Sequence, residues 1–469
     1  MPEHLSKTTR SFFQEVRAAA LMSPFSDARY ELDARLTSLP PDDSQVVPKL
    51  IERLQKALAA VPKAKDLGTE DRELLGYAAL FEAFHRFADD FDALIEAQRG
   101  KTDPVPFVAH RKIAEYLTPF EVDVERSLEL FYQLRRAFVF LTRRLPGDEV
   151  PMRALRHRLW QQLFGRDTLH YHRRLEGRMQ DFSLLLVGET GTGKTSAAGC
   201  LGRAGRIPWK GDRFTTSYER LFIAANLSEV PGELLTSALF GHQKGAFTGA
   251  IANRAGIFAR SDPHGVVFLD EIGELHEPGQ IKLLRVLQER SFSPVGSDRT
   301  ERFDGRVIAA THRDPETLVG GRMREDFYYR LCSDVVRVPS LQERIASDEG
   351  ALRRLVESAV TRVVGTEDRA MAEEIAEAIE GTIPADYAWP GNVRELEQTV
   401  RAALLTGEVK TRRAAGSKAT AWRAAEGGDL PLRELVRSYV AHVRAMHPTL
   451  EATARHLGVD RRTVQKHLS

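Results

Sequence analysis

SLLLVGETGTGKT, residues 183–195, is an apolar run that breaks into a glycine-rich loop. Leu184 to Val187 do not alternate with polar residues, which predicts a strand covered on both faces. The loop has the form G-x-x-x-x-G-K-[ST], and the small residues Ser196 to Gly199 can start a helix directly after it. Strand, glycine loop and helix in that order are the context a phosphate-binding loop needs. Its glycines let backbone N–H groups turn onto phosphate oxygens, and the helix N-terminus adds positive potential. The candidate nucleotide contacts are Gly188, Glu189, Thr190, Gly191, Thr192, Gly193, Lys194 and Thr195. Lys194 is expected to reach the β- and γ-phosphates, and Thr195 to ligate Mg²⁺.

GVVFLDEIGEL (265–275) is a second fully apolar strand, ending in two adjacent carboxylates. Beside a phosphate loop, Asp270 is expected to hold Mg²⁺, and Glu271 to orient and deprotonate the attacking water. Phosphoryl transfer to water needs little more than a metal, a positioned water and cationic stabilisation of the γ-phosphate. An Asp-Glu pair alone would be a strand end entering solvent. After a complete phosphate loop it predicts hydrolysis of ATP.

GETGTGKT, LFGHQKGAFTGA (239–250), VFLDEIGEL, KLLRVLQER (282–290), REDFYYRL (324–331) and WPGNVREL (389–396) occur in that order. Together, over roughly residues 155–405, they resemble the AAA+ ATPase domain of bacterial enhancer-binding proteins, the activators of sigma-54 RNA polymerase. The resemblance implies an α/β P-loop core with a small helical lid. It also implies that Gly245, Ala246, Phe247, Thr248, Gly249 and Ala250 tip a mobile loop that touches sigma-54, Phe247 and Thr248 making the contact. Asn226, ending the strand FIAAN (222–226), is implied to hold Glu271 until the γ-phosphate is sensed. Arg324 and Arg330 match two arginines that act across a subunit boundary, and Arg394 matches a nucleotide-sensing arginine on the lid. Thr195 stands where the family commonly has Glu, and it restores the general Mg²⁺-ligand chemistry. RVIAATH (306–312) departs further, placing His312 where the family has a sensing Asn. Imidazole can still donate a hydrogen bond, but an ordinary His changes charge near neutral pH.

The 469-residue chain is long enough for about three domains. With 42% hydrophobic and 28% charged residues it has a globular composition. Its net charge of +1 requires any nucleic-acid footprint to be local. No apolar run approaches membrane-spanning length, and MPEHLSKTTR lacks a signal-peptide core. Cys200 and Cys332 lack metal-ligand spacing, and read as reduced, buried thiols of a cytoplasmic protein. Residues 1–150 read as a helical domain of regulatory or oligomerising role. Helices are expected over Val46–Val61, from an N-cap at Thr69, and over Val122–Leu145. The second should bury Leu74, Leu75, Ala78, Phe81, Phe84 and Phe87, and the third Leu128, Phe131, Leu134, Phe138 and Leu141. Aromatics on those faces read as core rather than as a ligand box. The basic and aromatic residues between 152 and 181 read either as part of an adenine pocket or as a solvated linker helix. Pro278–Arg290 reads as an amphipathic helix with Ile281, Leu284 and Leu287 on one face.

Beyond the ATPase (core 151–340, lid 341–405), residues 406–429 lack apolar periodicity and read as a flexible linker. In 430–469, Leu432, Leu435, Val436, Tyr439, Val443 and Met446 mark one helix face, and Pro448 breaks it. Thr449 and Asp460 are expected to cap two short helices either side of a turn at Gly458. This is a helix-turn-helix pattern, held by Ala454, Leu457, Val459, Val464 and Leu468. From 401 to 469 there are 13 Lys/Arg against 6 Asp/Glu. Arg461, Arg462, Thr463, Gln465 and Lys466 are the candidate contacts to double-stranded DNA. The module resembles the Fis-type domain of the same family, which binds as a dimer. The whole reads as an ATP-dependent transcription activator acting as a homo-oligomeric ring, a hexamer by family resemblance. The rival readings are an unrelated AAA+ remodelling chaperone or DNA translocase, and a DNA-binding regulator with a degenerate ATPase.

Overall fold

The computed structural model describes residues 3–41, 43–168, 171–319, 321–409, 431–447 and 449–468. Most of the proposed linker, Pro448 and His170 fall outside the described residues, as do the side chains of His172, Arg173, Met446 and Leu468. The chain divides into two compact units, residues 1–380 with 384–401, and residues 381–383 with 402–469.

The first unit is built on a five-stranded parallel sheet: β1 (Leu184–Val187), β2 (Phe222–Asn226), β3 (Val266–Asp270), β4 (Arg306–Thr311) and β5 (Asp334–Arg337), in the order β5-β1-β4-β3-β2. β1 and the middles of β3 and β4 are apolar because both faces are covered. Leu184, Leu186, Phe268, Ile308 and Ala310 point to one side, and Leu185, Val267, Leu269, Val307 and Ala309 to the other. On the second side lie the helices Gly232–Phe240, Glu277–Glu289 and Glu325–Leu331. The buried face of Glu277–Glu289 carries Gly279, Gln280, Leu283, Val286 and Leu287. Ile281, expected on that face, is 44% exposed, because Leu283 and Val286 set the stripe instead.

The other side of the sheet is covered partly by residues that precede it. Eight helices open the chain: α1 (Lys7–Leu21), α2 (Asp27–Thr37), α3 (Val46–Ala59), α4 (Thr69–Arg86), α5 (Ala88–Gln98), α6 (His110–Leu117), α7 (Val124–Arg144) and α8 (Val150–Phe164). Ser6, Ser26 and Asp123 cap α1, α2 and α7 through side-chain oxygens. α4 starts one residue earlier than expected: Gly68 is the N-cap and Thr69 the first helical residue. Asp71 in its first turn is buried and accepts from Leu5 N and Arg10. α1 to α4 enclose a core of Phe12, Phe13, Val16, Leu50, Leu54 and Leu75. α7 and α8 instead share one apolar cluster with β1, β3, β4 and the helix after the phosphate loop, α9 (Lys194–Arg203). Burial contributes about 1.5–3 kcal/mol for each such large apolar side chain, so this shared cluster ties the helical segment to the sheet. Phe84, Leu134 and Phe138, expected in the core, are only half-buried, because they border a cavity.

The second unit contains the helices Leu432–Met446, Leu450–Leu457 and Arg461–Leu468, packed through Val440, Ala454 and Val464. The expected face of the first is met in part: Val443 is buried and Val436 packs on the cluster, but Val440 is buried as well, while Leu432 is 74% exposed and Tyr439 43%. Val459 is also exposed. No helix among the described residues is long and apolar enough to cross a membrane.

Candidate active site

The loop after β1 uses its glycines for specific backbone needs. Gly191 and Gly193 adopt φ of 83° and 104°, which only glycine reaches without strain. A Cβ on Gly191 would also stand 2.1 Å from the carbonyl oxygen of Gly391. Lys194 Nζ donates to the carbonyls of Gly188 (2.7 Å) and Glu189 (3.0 Å), folding back over the loop. An ammonium has three donors, so one remains for a ligand oxygen. Burial holds this lysine below its usual range, against the pull of Glu271 and Asp270. Thr195 Oγ1 donates to Asp270 Oδ2 at 3.1 Å, so the strand-end carboxylate and the first helical hydroxyl already face each other.

Glu271 follows in the left-handed region, φ 55° and ψ 51°, an unusual place for a non-glycine residue. His312 Nδ1 lies 2.7 Å from Glu271 Oε2. The expected hold of Asn226 on Glu271 is not formed. Asn226 Oδ1 accepts from Ser228, and its Nδ2 donates to Glu229, because the amide caps the short turn that follows β2. The side chain bonded to Glu271 is therefore His312, not Asn226.

A cavity of about 400 Å³ gathers Thr190 to Thr195, Asn226, Asp270, Glu271 and Arg394 in one place. Its far wall includes Arg344 and Arg362, which the sequence did not single out. Among the described residues between 152 and 181, Met152 alone reaches it. Arg156 is turned onto the carbonyls of Leu145 and Gly147, Arg158 pairs with Asp334, and Trp160 packs on Phe25 and Phe164. Leu145 and Pro146, just before α8, line the cavity as well. The residue that joins its walls is Asn392, wholly buried at φ 52°. Its Oδ1 accepts from Leu341 N (2.8 Å), and its Nδ2 donates to Glu189 Oε2 (3.0 Å) and Thr190 O (3.1 Å). WPGNVREL contained this residue, but its arginine drew the reading.

Arg324 and Arg330 do not line this cavity. Arg324 is held by Glu277 and Asp326, which raise its affinity for the proton further, and Arg330 donates to Leu287 O. Among the described residues no cluster of three or more His, Cys, Asp or Glu could hold a metal by itself. Cys200 is buried and Cys332 half-buried, and burial pushes both thiols up to about 12.

GAFTGA forms a tight loop away from the cavity lining. Gly245 N donates to Ala250 O, Ala250 N to Phe247 O, and Gly245 and Gly249 have φ of 85° and 98°. Phe247 is half-buried edge-on against His242, while Thr248 is exposed. A neighbouring loop supports it: Gln243 bonds Val295 O and Ser297 Oγ, and a Cβ on Gly296 would meet Ala246 at 2.7 Å.

In the second unit, Thr449 and Asp460 cap their helices as expected, and Gly458 takes φ 66°. Arg461, Arg462, Gln465 and Lys466 are exposed on one short helix. Thr463 is half-buried and donates to Asp460 Oδ2, and Arg461 pairs with Glu451.

Residues 169–337 match the Sigma-54 interaction domain family. The hydrogenase transcriptional regulatory protein HoxA of Bradyrhizobium diazoefficiens is 40% identical over 222 residues, 47% of this chain and 42% of that protein. The transcriptional regulatory protein ZraR of Klebsiella oxytoca is 36% identical over 307 residues, 62% of this chain and 63% of that one. The Nif-specific regulatory protein of Azotobacter vinelandii is 40% identical over 227 residues, 48% of this chain and 40% of that one. The chain spans about half the length of the curated relatives it matches.

Proposed function

We propose that this chain, which carries a sigma-54 interaction domain of the AAA+ ATPase class, is an ATP-hydrolysing transcription activator that binds upstream DNA and remodels sigma-54 RNA polymerase so that the promoter opens. The observation that carries this reading is the intact GAFTGA hexapeptide, its Thr248 exposed, in the same α/β unit as the phosphate loop and the Asp270-Glu271 pair.

In this reading Gly188 to Thr195 cradle the phosphates and Lys194 exchanges its loop carbonyls for phosphate oxygens. The Thr195 hydroxyl and Asp270 carboxylate form the oxygen-donor set that suits Mg²⁺, and the ion would supply charge neutralisation at the phosphates. Glu271 accepts the proton of the attacking water as ADP and phosphate separate. His312 positions that carboxylate, the part the family gives to Asn226. Arg394 reports the nucleotide to the helical lid. Arg324 and Arg330 face outward from their own cavity, as arginines completing a neighbour's site in a hexameric ring would. A finger of this kind is worth about 10³–10⁵ in rate where dissected. Residues 1–150 are assigned a regulatory role, 151–340 the ATPase core, 341–405 its lid and 406–429 a linker. The segment 430–469 is assigned as the helix-turn-helix, contacting DNA through Arg461, Arg462, Thr463, Gln465 and Lys466.

The test is open-complex formation on a sigma-54 promoter. The full chain should open DNA only with hydrolysable ATP, and Thr248→Ala should keep its ATPase rate and lose opening. A chain that hydrolyses ATP but opens nothing would overturn the reading.

A further inference from the structure

A second cavity, of about 540 Å³, lies among α1 to α4, α7 and α8, and its wall includes the aromatic rings of Phe84, Phe131, Phe138 and Trp160. Volume and lining are those of a small-molecule site: mostly apolar, with a few polar groups. The cations at its edge are already matched. Arg29 Nε is bonded to both oxygens of Asp33 (2.9 and 2.8 Å), and Arg135 to Asp92 (2.6 and 2.7 Å). Arg126 pairs with Glu176 (3.0 Å), and Asp123 Oδ1 accepts from Arg126 N at the start of α7 (3.1 Å), so each cation of the lining has a carboxylate partner and no anion is called for. Thr168 and His85 are among the neutral polar groups of the lining. Thr168 Oγ1 is buried without a hydrogen-bond partner among the described residues, a cost normally offset by some acceptor or donor. His85 lies between Phe81 and Phe84, and burial beside Arg29 and Arg135 brings it down to about 3, so its ring is neutral. A neutral imidazole has one donor and one acceptor nitrogen.

The wall formed by α7 runs on to the nucleotide cavity. Phe131, Leu134 and Phe138 face the aromatic cavity. From the same helix Arg136, fully buried, donates to the carbonyls of Arg203 (2.5 Å) and Gly205 (2.8 Å) at the end of α9, while Phe140 O accepts from Cys200 Sγ (3.2 Å). Arg144, at the C-terminus of α7, lines the nucleotide cavity together with Leu145. One helix thus borders both cavities and grips the far end of the helix that the phosphate loop starts.

We propose that the N-terminal cavity is an effector site for an uncharged aromatic molecule of one or two rings bearing a hydroxyl, carbonyl or amide group, coupled through α7 to nucleotide binding. The coupling rests on the nucleotide-site reading above; the binding does not. Coupling between two sites is reciprocal, with factors of about 5–150 typical.

The experiment titrates the full chain with 6-propionyl-2-(dimethylamino)naphthalene, an uncharged two-ring fluorophore bearing a carbonyl, and then displaces it with 2-naphthol. Saturable binding of one probe per chain is expected, weakened at least ten-fold by Leu130→Trp and by Ala20→Phe, which fill the cavity from opposite walls. Displacement by 2-naphthol on the unsubstituted chain keeps the test valid should either variant fold poorly. In the Glu271→Gln background, MgATP should shift the probe's Kd at least five-fold, with an equal reciprocal shift in ATP affinity. Unsaturable binding, no displacement by 2-naphthol, or binding that ignores both substitutions overturns the site. Saturable binding that ATP does not shift, while ATP itself binds, overturns the coupling alone. Failure of ATP to bind would instead strike the nucleotide-site reading and leave the probe result standing.

Discussion

Glu271 is placed by backbone and by a single side-chain partner. Its left-handed φ turns the carboxylate off the β3 line, and His312 Nδ1 at 2.7 Å fixes one oxygen. In the proposed mechanism Glu271 is the base, and removing it differs from freeing it. General base catalysis contributes about 10²–10⁴ in rate, so Glu271→Gln should lower kcat by that factor with nucleotide affinity retained. His312→Ala leaves the base but releases it, and one hydrogen bond to a charged group is worth about 1.5–3 kcal/mol. That predicts roughly a ten- to hundred-fold loss in kcat, partly recovered by His312→Asn, which restores a donor. Steady-state ATPase assays on the three variants decide it. Equal losses in Glu271→Gln and His312→Ala, without rescue by Asn, would show that His312 itself takes the proton.

Among elements, the contact that organises the nucleotide cavity is the turn at 389–392. Asn392 satisfies the first backbone N–H of the helix Leu341–Ala346 and bonds both Glu189 and Thr190 in the phosphate loop. Asn392→Ala strands a buried N–H, at about 1–3 kcal/mol, and loses a residue type that tolerates positive φ. ATP affinity should fall about ten-fold with a lowered melting temperature, and an unchanged Kd in nucleotide titration would refute the clip. How far such elements were legible in sequence follows from their physics. β1, β3, α9, α7 and the caps at Thr449 and Asp460 announce themselves through apolar runs, glycine placement and local side-chain chemistry. Asn392 and Arg344 do not, since their partners lie 51 to 203 and 195 to 198 residues away respectively. The inner face of Leu432–Met446 is legible only in part, for another reason. Leu432 and Tyr439 are apolar yet exposed, and hydrophobicity alone does not say which side meets a neighbour. Phe84 and Phe138 read as core by the same statistics, and only the tertiary arrangement shows a cavity beside them.

At the scale of the whole molecule, the helices before residue 150 are part of the foundation of the parallel sheet. α7 covers α9 and supplies the buried Arg136 that satisfies two of its terminal carbonyls. Arg344, 4% exposed at the side chain, pairs with fully buried Glu149 and donates to Pro146 O (2.6 Å). Burial pulls this guanidinium below its usual range and Glu149 pulls it back, so the pair survives only as a pair. Removing one partner of such a pair costs about 3–5 kcal/mol. Glu149→Ala should therefore lower unfolding stability by that amount in urea, with ATP affinity weakened because Arg344 lines the nucleotide cavity. A chain beginning at Pro151 loses Glu149, Arg136 and the apolar cover of α9 together. It should be poorly soluble or unfold many degrees below the full chain, with nucleotide binding largely lost. A soluble chain from Pro151 that binds and hydrolyses ATP as the full chain does would show instead that the N-terminal helices are an accessory layer, and that the sheet stands without them.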